Sequence, residues 1–112
     1  MSPNEVINKM RVAIEKLHAK EEELKELSIK KAEAQRTYSI ERARAIARLR
    51  VHNTPVGVIN EIVDGEVSSL RLEMELQEDA YYICLQAIEN LRKELETYRG
   101  ILSFLKVEYS TS

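Results

Sequence analysis

The sequence is poor in residues that interrupt helices and in residues that crosslink small domains. Its 112 residues include three glycines, two prolines, one cysteine and no tryptophan. So few glycines and prolines exclude a β-rich fold with many tight turns. A single cysteine, Cys84, excludes an intrachain disulfide and a multi-cysteine zinc site.

Long apolar segments are also missing. No apolar run approaches the ~20 residues of a membrane span, and the N-terminus lacks the apolar segment of a signal peptide. We therefore expect a cytoplasmic protein that does not enter a membrane.

Glu, Leu, Ala, Lys, Arg and Ile dominate the composition, which is typical of long helices. The main break lies between residues 52 and 65, which contain Pro55, Gly57 and Gly65. The sequence predicts one domain over residues 1–112. It consists of a helix over about 3–51, a link with a short helix over about 52–65, and a helix over about 66–109. Ser2, Pro3 and Glu5 have the spacing of a helix start with a capping box.

The second helix carries an unbroken heptad pattern. Twelve of its thirteen positions are apolar or aromatic, and Gln77 is the exception. These positions are Val67, Leu70, Met74, Gln77, Tyr81, Cys84, Ile88, Leu91, Leu95, Tyr98, Leu102, Leu105 and Tyr109. Such a repeat predicts a coiled-coil seam.

The first helix has a weaker stripe at the same spacing, interrupted by Lys20, Lys31, Glu41 and Arg48. Its apolar members are Val6, Met10, Ala13, Leu17, Leu24, Leu27, Ala34, Tyr38 and Ala45. Two such helices joined by a short link favour an antiparallel hairpin.

Charge patterning supports the antiparallel arrangement. Seven basic residues between Lys30 and Arg50 stand against two acidic ones, and seven acidic residues between Glu61 and Asp79 stand against Arg71 alone. With a turn centred near Val58, residue i faces roughly residue 116 − i. Basic residues 42–50 then lie beside acidic residues 66–75, and residues 21–23 lie near Arg92 and Lys93.

The second helix has apolar residues left over after the seam. They form a second stripe of Leu72, Leu76, Ala80, Ile83 and Ala87. A helix that is apolar on two sides usually has two neighbours. We therefore expect an all-α fold, a long antiparallel two-helix coiled-coil hairpin that forms a four-helix bundle by dimerisation or a higher homo-oligomer. The alternative is a monomer with scattered apolar surface residues.

The link is itself apolar. A short helix over about 55–63, stopped at Asp64-Gly65, would either fold over the end of the hairpin or expose a tip that binds another protein. The candidate tip residues are Val56, Val58, Ile59 and Ile62.

Candidate catalytic groups are few. No glycine-rich phosphate loop, HExxH or GxSxG motif is present. Cys84 lies in the seam and is expected to be a small buried hydrophobe. The single Glu-x-x-His pattern at Glu15 and His18 has no partner copy for a metal site. We therefore predict no catalytic residue, cofactor, metal or small-molecule substrate.

The basic stretch offers a competing function. Exposed arginines can bind phosphates without sequence preference, and the candidates are Arg42, Arg44, Arg48 and Arg50. The acidic segment predicted alongside favours internal pairing instead.

The layout resembles the small helical-hairpin proteins of phage and prophage genomes in Gram-positive bacteria. It shares a charged first helix, a short link, and a second helix ending in the leucine-rich run from Leu91 through Leu105. The resemblance implies no catalytic residue. The sequence favours a non-enzymatic, self-associating structural, adaptor or regulatory component, with a nucleic-acid-binding accessory protein as the alternative.

Overall fold

The computed structural model describes residues 1–111, with side chains up to Glu108. The chain forms three helices: α1 (Pro3–Val51), α2 (Val56–Glu66) and α3 (Ser68–Thr111). Helices account for 94% of the structure, and residues 1–111 contain no strand. The all-α prediction is confirmed.

Both ends of α1 have capping interactions. At the start, the Glu5 amide donates to Ser2 Oγ at 3.2 Å, as the capping box predicts. At the end, the Thr54 amide donates to the Leu49 carbonyl at 3.0 Å and the Asn53 amide to the Arg50 carbonyl at 3.1 Å. Asn53 has a φ of 58°. These features form a Schellman motif, which stops the helix and reverses the chain.

The short helix after the turn ends later than the sequence predicts. Pro55 directly precedes α2, which continues through Gly65 to Glu66 instead of stopping at Asp64. Only Val67 separates α2 from α3, and the Arg71 amide still donates to the Val67 carbonyl at 2.9 Å. The link expected over 52–65 is therefore confined to residues 52–55.

The helices pack as two compact units. The first unit contains Met1–Lys25 and the described chain from Tyr82 onward, and the second contains Glu26–Tyr81. The buried residues of the first unit are Val6, Ala13, Cys84, Ile88 and Leu95. Those of the second are Ala45, Ile59, Val63 and Val67, with Tyr38, Ile46 and Leu49 packed against them.

The predicted seam is where the helices pack. Every seam position of the second helix from Val67 to Leu105 is buried or half-buried, while the side chain of Tyr109 lies outside the described residues. The apolar positions of the α1 stripe are likewise buried or half-buried. One of its charged interruptions is accommodated within the second unit, because Lys31 Nζ lies 4.6 Å from the centre of the Tyr81 ring.

The register differs from the predicted one. In the second unit Arg42 pairs with Asp64 at 3.0 Å instead of lying opposite Met74. In the first unit Ala19 shares a groove with Ala87 rather than with Thr97. The reason is the turn, which is centred in residues 52–55 and not near Val58.

The expected charge pairs are formed in part. Opposite charges do meet across the second unit, where Arg42 and Arg48 bind Asp64 and Glu66. In the first unit, Glu22 and Glu23 instead pair with Lys25 and Lys20 of their own helix, at 3.0 and 2.9 Å.

Candidate interaction surfaces

The interior of both units is apolar. No polar or charged side chain among the described residues is buried. Within residues 1–111, no group of three or more His, Cys, Asp or Glu side chains comes close enough to hold a metal ion. Glu15 and His18 are both exposed. Among the described residues, the thiol of Cys84 is therefore the only reactive side chain in the interior.

Cys84 is packed in the first unit with 2% of its surface exposed. Its Sγ lies 3.4 Å from the Lys20 carbonyl oxygen, to which the thiol donates. Burial raises the pKa of the Cys84 thiol, and the nearby Glu23 carboxylate raises it further, while Lys20 lowers it. A buried thiol held in its neutral form packs as a small hydrophobe, and the predicted burial is confirmed.

We expect the first unit to lose stability at alkaline pH. The folded-state pKa of Cys84 lies above its ordinary value of about 9. The stability that the neutral, buried thiol contributes to the first unit is therefore fully present below about pH 9 and is lost as pH rises through the folded-state pKa. Urea unfolding between about pH 7 and pH 10.5 should show this decline.

The matched variant is Cys84→Ala, in which the decline should be smaller. The comparison is needed because hydrogen bonds to Glu23 and Glu94 raise the pKa values of Lys20 and Tyr98. These two groups therefore also lower the stability of the first unit as pH rises. An equal decline in both proteins would contradict a role for the thiol.

The second apolar stripe of α3 is largely open to solvent. Leu72, Leu76 and Ile83 expose 57%, 53% and 71% of their surfaces. Ala80 and Ala87 are half-buried. Large apolar side chains at these positions are thus not used by the packing within either unit.

The candidate tip is reduced to three residues. Val56, Val58 and Ile62 are exposed, but Ile59 is 5% exposed and belongs to the core of the second unit. The sequence-based assignment of Ile59 to a surface tip therefore differs from the structure. The reason is that α2 packs along α1 and does not stand apart from it, so one side of α2 must be buried.

Three of the four candidate nucleic-acid residues are paired with carboxylates of the chain. Arg42 binds Asp64, Arg44 binds Glu41 at 2.8 Å, and Arg48 binds Glu66. Arg50 is exposed and has no ion pair in the described part of the chain. The four arginines therefore do not act as a free row of positive charges.

A groove with a volume of about 550 Å³ lies in the first unit, between α1 and α3. It is lined by Lys16, Ala19, Lys20, Glu23, Ala87, Asn90 and Leu91. The sequence predicts Ala87 as part of the stripe used in self-association, Leu91 as a seam position and Lys20 as an interruption of the α1 stripe. Ala19 could not be predicted, because a lone alanine on a helix indicates a groove only when the neighbouring helix is known.

No family model, curated protein or solved structure matches the chain. Among the described residues, no helix is both long and apolar enough to cross a membrane.

Proposed function

We propose that this chain is a non-enzymatic, self-associating coiled-coil protein that acts as a structural, adaptor or regulatory component. Its first partner is a second copy of itself, and the assembled form binds another protein. The resemblance to phage and prophage hairpin proteins extends the proposal to a phage-encoded component.

The exposed stripe of α3 carries this proposal. Burying one leucine or isoleucine side chain contributes about 1.5–3 kcal/mol. Leu72, Leu76 and Ile83 expose more than half of their surfaces and form no part of either core. Large apolar side chains that remain exposed on a helix are typical of interaction surfaces, and burying each of them against a second copy would support stable association.

The charge distribution favours a protein partner over a nucleic acid. Nucleic-acid binding requires basic side chains that are free to contact phosphates. Arg42, Arg44 and Arg48 instead hold carboxylates of the same chain. A phosphate backbone would therefore compete with these carboxylates for the positive charge of the three arginines.

We expect the mass of the protein in solution to be at least twice the 13.0 kDa of one chain. The measurement is light scattering after gel filtration, at low and high salt, with and without mixed-sequence DNA. A mass above the monomer that DNA does not change supports the proposal, because apolar contacts resist salt.

Two outcomes would contradict the proposal. A monomer at every concentration would mean that the exposed stripe does not drive self-association. A DNA-dependent mass that disappears at high salt would favour the nucleic-acid alternative, because phosphate binding is strongly salt-dependent.

A further inference from the structure

The most exposed large apolar residue of the stripe lies one helical turn from the groove of the first unit. Ile83 exposes 71% of its surface. Ala87, one helical turn later on α3, lines the groove. Residues at i and i+4 lie on the same side of a helix. One face of the first unit therefore offers both a projecting apolar side chain and a hollow next to it.

The hollow has the chemistry to take an apolar side chain. Ala19 of α1 and Ala87 of α3 contribute only methyl groups, and Leu91 lies one turn beyond Ala87. Small residues leave room for a large one from a neighbouring helix, which is the knobs-into-holes relation of packed helices.

A projection and a hollow on one face suit a twofold axis. In an isologous interface, residue i contacts residue j and residue j contacts residue i. If two copies of α3 lie antiparallel with Ile83 of each opposite Ala87 of the other, both hollows are filled at once. A single unrelated partner would have to supply a matching projection and a matching hollow.

Charges around the groove agree with this arrangement. Asp79 lies one turn before Ile83, so it falls opposite residue 91 of the second copy, where Lys16 lines the groove. Lys16 and Asp79 are both exposed, and neither forms an ion pair in the described part of the chain. The twofold arrangement therefore forms two equivalent pairs, each between Asp79 of one copy and Lys16 of the other.

We propose that a second copy of this chain docks on the first unit, with Ile83 of each copy in the groove between α1 and α3 of the other. Asp79, which precedes Ile83 by one turn on the continuous helix α3, then faces Lys16 of the other copy. The proposal rests on the self-association proposed above, and it identifies the surface that mediates it.

The first test removes the projection. In sedimentation equilibrium, Ile83→Glu should raise the dimer dissociation constant roughly 100-fold, because the change occurs twice in each dimer. The matched control is Ile29→Glu, which makes the same change at a position that is 60% exposed and lies outside the groove. It should leave the dissociation constant near that of the unaltered protein.

The second test fills the hollow. Ala19 is exposed, so Ala19→Trp can be accommodated in the monomer while it blocks the groove. We expect unchanged helical circular dichroism and weakened dimerisation. Ala32→Trp, at an exposed alanine of α1 away from the groove, should dimerise normally.

The third test exchanges the charges. Lys16→Glu and Asp79→Lys should each weaken the dimer, and the double variant should recover most of the affinity. Recovery is specific to a direct contact, since a loss of folding in either single variant would not be repaired by the second change.

The outcomes separate this inference from the proposed function. If the unaltered protein is monomeric, self-association itself fails. If it is dimeric but Ile83→Glu and Ala19→Trp dimerise equally well, the protein associates through another surface and only this inference is overturned. Failure of the double variant to recover affinity would likewise contradict the Lys16–Asp79 contact.

Discussion

Replacing Leu95 with aspartate should unfold most of the first unit. Leu95 is 5% exposed and lies in the seam between α1 and α3. The substitution removes the buried leucine and places a carboxylate in an interior where no described polar side chain is buried. Lost apolar burial and an unpaired buried charge together cost about 3–5 kcal/mol. That is a large part of the 5–15 kcal/mol that holds a typical small protein folded.

The measurement is urea unfolding followed by circular dichroism at 222 nm. The control is Glu96→Asp, which places an aspartate at the neighbouring exposed position of the same helix. It tests the poor helix propensity of aspartate alone, a matter of tenths of a kcal/mol. If the two variants unfold at the same urea concentration, the seam does not bury Leu95.

Val63→Asp should destabilise the second unit by a similar amount. Val63 has no exposed surface and packs with Ala45, Ile59 and Val67. An aspartate there has no partner within the cluster, so we expect a loss of about 3–4 kcal/mol. The result would show that α2 is part of the core and not a detached tip.

The same substitution at Val56 provides a close comparison. Val56 lies on the same helix but exposes 84% of its surface. An aspartate in the first turn of a helix interacts favourably with the helix dipole, so Val56→Asp should leave stability unchanged or raise it by a few tenths of a kcal/mol. Equal destabilisation by the two variants would contradict the placement of α2.

The helix pattern could be predicted from the sequence because its causes are local. The capping box at Ser2 and the absence of glycine and proline up to Val51 depend on neighbouring residues alone. The seam of α3 repeats every seven residues, and the same period places its members on one side of the helix. Both features are present in the structure.

The candidate surfaces could be predicted only in part. Leu72, Leu76 and Ile83 are exposed, as expected for residues outside the seam. The burial of Ile59 could not be predicted, because it depends on which side of α2 meets α1. The groove beside Ala87 was missed for the same reason, since it exists only where Ala19 of the opposite helix comes near it.

The sequence by itself determined that this protein is helical, where α1 begins and ends, and which residues of each long helix are packed. The tertiary structure alone decided which heptad of one helix meets which heptad of the other, and hence the pairing of Arg42 with Asp64 and the groove in the first unit. A seven-residue repeat presents the same stripe at every heptad, so it does not select a register. Here the register follows from the turn at residues 52–55, where Asn53 ends α1 and Pro55 leads directly into α2.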